Sequence, residues 1–320
     1  MQVVKKVFSL IFLVFISLLF LSCLSSPKAS LEPTERFYWT ISGTDKRGNP
    51  SYVHILGTIH MADDRLYPLP DVIMDDLNNS KRIAAEIGSD DMQELQGRMY
   101  GLLMESVVRA KGRDISKELT KEELEYVEET IGPQAFAMYR MMEPWMLTET
   151  LAMQQWMDSG LSHEKGLDTV LMDMLTSKGL KWEGLDSLDT QLDILTFGTY
   201  DQQLFMLKDL LSDLIDSTET NEYINRMYEA YLNGEKGSLT EVVQEEEDAE
   251  LDELDGEMLK FMLEYNDKII TQRNRAWAEK IKVWLREGGE TFIFAGSAHF
   301  LGNDSVFVYL KKNGVLPSQE

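Results

Sequence analysis

The sequence predicts an α/β fold with a small central β-sheet and a large helical insertion. Strand-like runs are few and lie mainly toward the two ends of the chain, at 37–42, 52–56, 82–87, 180–184 and 291–295. Most of the segment from roughly 90 to 280 instead shows helical periodicity. We expect the early and late strands to pair in one sheet. The helical segment that lies between them along the chain is then predicted to be an insertion.

The first two strands flank the turn-rich segment GTDKRGNPS and therefore form a predicted hairpin. RIAAEI, at 82–87, is the third strand. The predicted helices cover 92–111, 121–130, 134–158, 168–177, 188–216 and 259–287. Ten acidic residues follow Thr240 in the segment 239–257, which we interpret as a solvated helix face or a loose linker, with 241–257 dispensable for the site.

The N-terminus has the layout of a secretory signal. Lys5 and Lys6 precede an apolar run from 7 to 21, and Cys23, the only cysteine, closes it in FLSC. FLSC resembles a bacterial lipoprotein box, although Phe20 stands where leucine is usual. We predict a signal peptide at 1–22, a lipidated tether at 23–36 and one domain at 37–320; an ordinary cleaved signal is the alternative. The protein is then exported and lipid-anchored, at the outer membrane or cell surface.

The composition of the chain also limits the kinds of partner that the protein is expected to bind. The net charge of −24 disfavours nucleic acid, whose phosphates need lysine and arginine. It also disfavours electrostatic adhesion to anionic lipid, so the membrane link is the lipid on Cys23 alone. A lipidated Cys23 leaves no thiol, which excludes disulfides, cysteine metal sites and a cysteine nucleophile.

Two copies of one short pattern carry the candidate chemistry. HILGTIHMADD at 54–64 and FIFAGSAHFLG at 292–302 share the order apolar, apolar, Gly, Thr or Ser, apolar, His, apolar. A glycine at the strand end lets the chain turn. His60 and His299 are then displayed at the carboxyl edge of the sheet, where open α/β sheets bind ligands. Two imidazoles with one carboxylate would suit a divalent ion.

Glu86 is the best carboxylate, because it ends the apolar RIAAEI strand where a buried charge needs a partner. Asp63 and Asp64 are rivals that better suit a helix cap. The alternative for His60 and His299 is a pair of satisfied core histidines. Thr58 and Ser297 most simply hydrogen-bond to local backbone.

Six segments in order resemble the TraB/GumN family, which includes the PrgY proteins and is related to the Tiki proteases. The segments are LGTIH, AAEI, EPWML, GLDTVLMDMLTSKGLKWEGLDSLDTQLDIL, QRNRAWAEKI and AGSAHFLG. The resemblance implies an α/β fold of the type shared with erythromycin esterases and the haem-binding ChaN proteins. It implies a site of His60, Glu86, Arg273 and His299. Asp186 stands where many relatives have glutamate, which puts its role in doubt.

The resemblance also implies a metal-dependent, peptidase-like hydrolase acting on a peptide or protein. His60 and His299 would hold a divalent ion, with Mn, Co and Zn as candidates, and Glu86 would be a third ligand or the general base. Arg273 would stabilise an oxyanion or grip a substrate carboxylate, or else pair with Glu86 or Asp186. The alternatives are a lipoprotein that sequesters a peptide signal without cleaving it, or one that binds haem or metal.

Overall fold

A computed structural model of the chain describes residues 30–33, 36–215, 217–252, 254 and 256–317. The predicted signal peptide and Cys23 lie outside these residues. No helix within the described ranges is both long enough and apolar enough to cross a membrane.

The described strands form one mixed sheet of six, in the order β1-β2-β3-β6-β4-β5. The strands are β1 Ser30–Pro33, β2 Tyr38–Thr44, β3 Pro50–Thr58, β4 Arg82–Ala85, β5 Glu183–Gly184 and β6 Gly289–Gly296. The first three form an antiparallel meander, whereas β3, β6, β4 and β5 run parallel. The four parallel strands therefore end at the same edge, which is the edge that bears the site.

The two repeated motifs provide the central pair of strands. β3 and β6 lie side by side with Thr58 opposite Gly296, so the two motifs are neighbours in space, one residue out of the register in which their sequences align. The run 292–295 of β6 is fully buried, as expected for a parallel strand covered on both faces. The predicted α/β sheet is confirmed, and the strand Ser30–Pro33 adds an edge inside the segment predicted as a tether.

Thirteen α-helices occur in the described residues. They are α1 Asp71–Asn79, α2 Ser89–Arg109, α3 Lys121–Ile131, α4 Pro133–Tyr139, α5 Trp145–Asp158, α6 Leu167–Ser177, α7 Leu188–Leu195, α8 Tyr200–Ile215, α9 Ser217–Leu232, α10 Lys236–Asp252, α11 Gly256–Asn266, α12 Gln272–Glu287 and α13 Val306–Lys312. Short 3₁₀ turns join several of them, and a π-helical turn, Asp267–Thr271, links α11 to α12.

The apolar side chains form two buried clusters. One surrounds the sheet and includes Trp277 of α12, which is fully buried. The other lies among helices α3, α4, α5, α8 and α11. The helical part of the chain therefore has its own apolar core, in addition to the core around the sheet.

Two predicted helices are divided in the structure, and a third is continuous but contains a π-helical turn. The helix predicted at 134–158 is divided into α4 and α5, because Pro144 cannot continue a helix from its N-terminal side. The helix predicted at 188–216 breaks before Tyr200, where Gly198 has a φ of +93°. The helix predicted at 259–287 is continuous through the π turn that immediately precedes α12.

The interpretation of 241–257 as a dispensable segment is wrong for its first residues. They belong to α10, in which Leu239 and Val242 are buried against the sheet core. Val243 and Gln244 line a cavity described below. The many acidic residues obscured this apolar helix face in the sequence. Its apolar side chains lie at helical spacing just before and among the first acids.

Candidate active site

The site lies where the four parallel strands end. His60 follows β3, Glu86 follows β4, Asp186 follows β5 and His299 follows β6, each within one to three residues of the strand end. Arg273 reaches this edge from α12. Arg273, His60 and His299 all lie close to Glu86, and the charges of Arg273 and His60 lower the pKa of Glu86. The structure therefore brings together all four residues that the sequence analysis selected.

His60 is held by an aspartate that the sequence analysis did not select. Its Nδ1 lies 2.9 Å from Asp168 Oδ2, and Thr58 Oγ1 donates to Asp168 Oδ1 at 2.5 Å. The His60 side chain is 57% exposed, whereas that of Asp168 is 11% exposed. The Asp168 carboxylate raises the pKa of His60 to about 9 against the opposing effect of burial. His60 is therefore an imidazolium at neutral pH, with Nε2 as the nitrogen that Asp168 does not hold.

A glycine makes the contact between Asp168 and His60 geometrically feasible. A Cβ on Gly166 would stand 2.0 Å from the backbone oxygen of His60, so no larger residue fits there without a shift of the backbone. The Leu167 N–H then donates to Ile59 O at 2.9 Å, which fixes the first turn of α6 beside β3. Asp168 is the second residue of that helix.

Arg273 joins two carboxylates behind the site. Its Nε donates to Asp186 Oδ2 at 2.7 Å, and its Nη2 donates to Glu86 Oε2. It is 7% exposed and its guanidinium lies 4.9 Å from the Trp277 ring centroid. This is the structural pairing that the sequence analysis left open, and it makes Arg273 a residue that positions Glu86.

Glu86 accepts a second hydrogen bond from the backbone. Its Oε1 accepts from the Gly296 N–H at 2.9 Å, which ties β4 to the end of β6. Burial alone would raise the pKa of Glu86, but attraction from Arg273, and then from the His60 imidazolium, holds it well below its usual range. Glu86 is therefore an anchored carboxylate and a poor proton acceptor.

His299 has the opposite environment to His60. It is fully buried, and its ring lies 4.1 Å from the ring of Trp277. Asn274 Nδ2 donates to Asp304 O at 2.7 Å, so Asn274 Oδ1 is the atom that accepts from His299 Nδ1 at 2.6 Å. Burial, reinforced by Arg273, lowers the pKa of His299 well below its usual value. His299 is therefore a neutral imidazole with its proton on Nδ1.

An apolar cavity opens beside His60. It has a volume of about 140 Å³. Thr58, His60 and Gly296 form the wall next to the sheet edge. The other walls are mainly apolar and include Trp156, Tyr223, Met227, Leu239, Val243 and Leu301. Among the four residues that the sequence analysis selected, His60 is thus the one that lines this apolar cavity.

A divalent ion does not fit the arrangement that the structure shows. Both histidines engage an acceptor through Nδ1, as metal-binding imidazoles do. However, both oxygens of Glu86 already accept N–H donors. Within the part of the chain that the structure describes, no three His, Cys, Asp or Glu side chains are placed to hold one ion. The predicted ligand set of His60, His299 and Glu86 is therefore not assembled.

The remaining candidates have local roles. Asp63 caps the short helix Asp64–Leu66, as predicted, by accepting from the Arg65 N–H at 2.9 Å. Thr58 bonds to Asp168 and not to local backbone, which corrects the sequence interpretation. Asp186 accepts from Trp277 Nε1 as well as from Arg273, so it serves to orient these groups.

Asp168 and Asn274 were not predicted as site residues from the sequence, although each lies in one of the six segments on which the family resemblance rests. Asp168 is the acid of GLDTV and Asn274 follows Arg273 in QRNRAW. Each holds a histidine that is distant in the chain. The available signal was that both are polar residues at the start of helices that return to the sheet edge.

Comparison with known proteins gives a consistent picture. A model of the TraB/PrgY/gumN family matches residues 37–319. A protein of Treponema pallidum (strain Nichols), described as uncharacterized, is 29% identical over 306 residues, which are 93% of this chain and 88% of that protein. No solved structure matches the chain at a significant level.

Proposed function

The chain belongs to the TraB/PrgY/gumN family, and from this premise we propose that it is a hydrolase of peptide-like substrates. The observation that carries the proposal is the Asp168–His60 pair at the wall of an apolar cavity. A proton donor held by a carboxylate beside an apolar cavity is the arrangement that acid–base hydrolysis of an amide or ester needs.

In this proposal His60 acts through Nε2. Asp168 holds Nδ1 and stabilises the imidazolium, so Nε2–H is the proton available to a substrate carbonyl oxygen or leaving group in the cavity. Water attacks the carbonyl carbon; as the C–N or C–O bond breaks, the leaving group takes the Nε2 proton, and the proton that water releases returns to Nε2. Burial of Asp168 strengthens its interaction with the imidazolium relative to the same pair in water. The proposal thus gives His60 the role of acid and electrostatic stabiliser.

The buried groups keep this geometry rigid. Glu86 ties the Gly296 backbone to β4, while Arg273 and Asp186 anchor Glu86 from the side of α12. These contacts position the β6 end that forms one wall of the cavity. Because catalytic geometry tolerates little displacement, we propose that Glu86 and Arg273 act on the reaction through position.

A peptide is the substrate class that the cavity favours. Its aliphatic and aromatic walls suit an apolar side chain, with His60 and Thr58 as polar groups at one side. The predicted export and lipid anchor would place this activity at the cell surface or in the periplasm. A divalent ion has no step in the proposed mechanism, since the residues present do not form its site.

Cleavage of a library of apolar-rich peptides, followed by mass spectrometry, tests the proposal. We expect the purified protein to cleave a subset of the library, and His60→Gln to abolish cleavage while retaining binding. His163→Gln is the matched control, because the His163 side chain is exposed and contacts Thr169, so the change should leave cleavage unchanged. Equal cleavage by both variants would remove His60 from the mechanism.

Sequestration without cleavage is the second candidate, because an apolar cavity also suits a binder. Tight binding of a library peptide that leaves the protein intact would favour it over hydrolysis. Metal analysis of the same preparation completes the test. An ion bound in equal amount to the protein, whose removal stops cleavage, would contradict the metal-free mechanism.

A further inference from the structure

Helix α2 carries many apolar side chains, yet it takes no part in the interior of the protein. None of the described side chains of this 21-residue helix belongs to either of the two buried apolar clusters. Hydrogen bonds hold its two ends. The Ser89 N–H donates to Trp182 O at 3.0 Å, and Ser106 Oγ accepts from the Glu143 N–H at 2.7 Å. Because helices in proteins are stabilised mainly by packing of an apolar face, α2 lacks most of its usual support.

The apolar side chains of α2 form one continuous outer face. Positions 97, 101, 104 and 108 are separated by four, three and four residues, so they line up along one side of the helix, and 100 and 107 adjoin them. This outer face consists of six exposed residues, Gly97, Tyr100, Gly101, Met104, Val107 and Val108. Tyr100, Met104 and Val108 are 68%, 56% and 76% exposed. A continuous apolar face of this kind marks a surface on which another molecule binds.

Two glycines lie at the centre of the outer face. The helix runs from Ser89 to Arg109, so Met99 is its middle residue, and Gly97 and Gly101 stand two positions to either side of it. Glycine is unfavourable inside a helix. A Cβ added to either glycine would meet nothing within 4 Å, so no contact in the described chain requires them. Glycines four residues apart allow a second helix to approach closely, and this pair therefore indicates a helix that crosses α2 at its midpoint.

The charges of α2 suit a second copy of the same helix in antiparallel orientation. Its first turn carries Asp90 and Asp91, and its last turn carries Arg109, which the exposed Lys111 follows. In an antiparallel pair, the acidic end of each helix lies beside the basic end of the other, and the two helix dipoles are opposed. A parallel pair would place acids beside acids. The charge pattern is therefore complementary to itself in the antiparallel orientation alone.

We propose that the outer face of α2 is a homodimer interface, in which the α2 helices of two chains cross antiparallel at Met99. Gly97 of one chain lies against Gly101 of the other, and the exposed apolar side chains pack on either side of this crossing. A lipid surface also accepts apolar side chains, but it gives no reason for central glycines. A single helix pair is a small interface, so we expect a dissociation constant on the order of 1–100 μM. The inference does not depend on the proposed hydrolase activity.

Sedimentation velocity over a range of concentrations tests the dimer. The Cys23→Ala chain is used throughout, because it lacks the predicted lipid and needs no detergent. We expect a reversible monomer–dimer equilibrium, which Met104→Glu weakens at least about tenfold by placing two carboxylates in the apolar interface. Met153→Glu is the matched control, since Met153 on α5 is 51% exposed, much as Met104 is. A chain that stays monomeric, or equal self-association by the two variants, would overturn the proposal.

Gly101→Leu distinguishes an interface from a purely structural role. The new side chain meets open space in a single chain and favours the helix, so the thermal midpoint of dilute, monomeric protein should rise. The same side chain blocks the close crossing, so dimerisation should weaken at least about tenfold. Gly237→Leu, at a glycine of α10 that also meets open space, should leave self-association unchanged. Undiminished dimerisation by Gly101→Leu would contradict the crossing at the glycines.

Crosslinking with a short bismaleimide tests the orientation, because the Cys23→Ala chain has no other cysteine. In the antiparallel pair the two copies of residue 101 lie near the crossing, whereas the two copies of residue 108 are about 27 Å apart along the helices. We expect Gly101→Cys to form a covalent dimer and Val108→Cys to remain monomeric. Equal crosslinking of both would overturn the antiparallel pairing. Binding of the monomeric chain to phosphatidylcholine vesicles, abolished by Met104→Glu, would assign the face to a membrane and overturn the dimer.

Discussion

At the residue scale, His60 and His299 show how one motif yields two different chemical groups. Both follow a strand-ending glycine, yet His60 is half-exposed and paired with Asp168, whereas His299 is fully buried beside Trp277. The carboxylate favours the charged imidazole and the apolar burial favours the neutral one. Their pKa values are therefore pushed in opposite directions.

Asp168→Asn should lower the pKa of His60 from about 9 toward the ordinary histidine range, because the amide removes the attraction that stabilises the imidazolium. The stabilisation that the wild-type pair contributes is fully present below the unfolded pKa of histidine and is lost as pH rises through about 9. Proton NMR of the imidazole measures this shift. Any activity that needs the imidazolium should decline at lower pH in the variant.

Asp173→Asn controls for the loss of an acid on the same helix, since Asp173 is exposed on α6. It should leave the His60 pKa near its wild-type value. If both variants titrate alike, Asp168 is not the cause of the shift.

Arg273→Met should be strongly destabilising. It leaves Glu86 and Asp186 as buried acids without their shared cation, a change that typically costs about 3–5 kcal/mol. Urea denaturation measures the loss. Arg275→Met, two positions along on the exposed side of α12, should cost less than about 1 kcal/mol. Comparable losses in the two variants would argue against a buried charge network.

At the element scale, α10 is a wall of the active-site cavity. Leu239, Thr240, Val243 and Gln244 of this helix line it, opposite the sheet-edge residues His60 and Gly296. The first residues of α10 carry an apolar face, and a run of acidic residues follows. The helix can therefore lie at the surface and still form part of a binding site. Its apolar face, and not its charge, is what the site uses.

Val243→Trp should fill part of this cavity and block an apolar peptide. Val243 is only partly buried, so the larger ring can extend into the open space at little cost in stability. We expect peptide binding by fluorescence anisotropy to fall by at least about tenfold, with an unchanged thermal midpoint. Glu241→Gln, an exposed change in the same turn, should bind as the wild type does. Unimpaired binding by Val243→Trp would place the substrate elsewhere.

The first turn of α6 depends on Gly166. An added Cβ would stand 2.0 Å from the His60 carbonyl oxygen, so Gly166→Ala must displace α6 or β3. We expect a loss of about 1–3 kcal/mol in thermal or urea unfolding and a lower His60 pKa, as Asp168 moves away. Gly97→Ala on α2 meets open space and should be neutral or slightly stabilising. A stable Gly166→Ala protein with an unchanged His60 pKa would contradict this geometry.

At the scale of the whole molecule, parallel strand pairing assembles the site. β3, β6, β4 and β5 come from three separate regions of the chain, and only their parallel arrangement puts four polar residues at one edge.

The predicted lipid anchor is also a property of the whole molecule. Cys23→Ala should abolish incorporation of a clickable fatty acid and release the protein from the membrane fraction, because the net charge of −24 opposes electrostatic attachment. Ser25→Ala is the neighbouring control and should be labelled normally. Equal label on the two variants would contradict lipidation of Cys23, and no label on the wild type would indicate an ordinary cleaved signal.

The sequence by itself determined the fold class and four members of the site. Period-two apolar runs and helical periodicity are local signals, and the two Gly-x-x-His motifs and the acid of RIAAEI are visible in the sequence alone. It could not determine how His60 and His299 differ, because each imidazole takes its charge state from a residue distant in the chain, Asp168 or Asn274.

Only the tertiary structure decided what each site residue does. The sequence allowed Arg273 either to bind a substrate or to pair with an acid. In the structure, α12 places Arg273 between Glu86 and Asp186. The role of α10 and the uncovered apolar face of α2 likewise depend on which faces the helices turn toward one another. Burial and charge pairing are non-local quantities, and they set the pKa and the accessibility on which function depends.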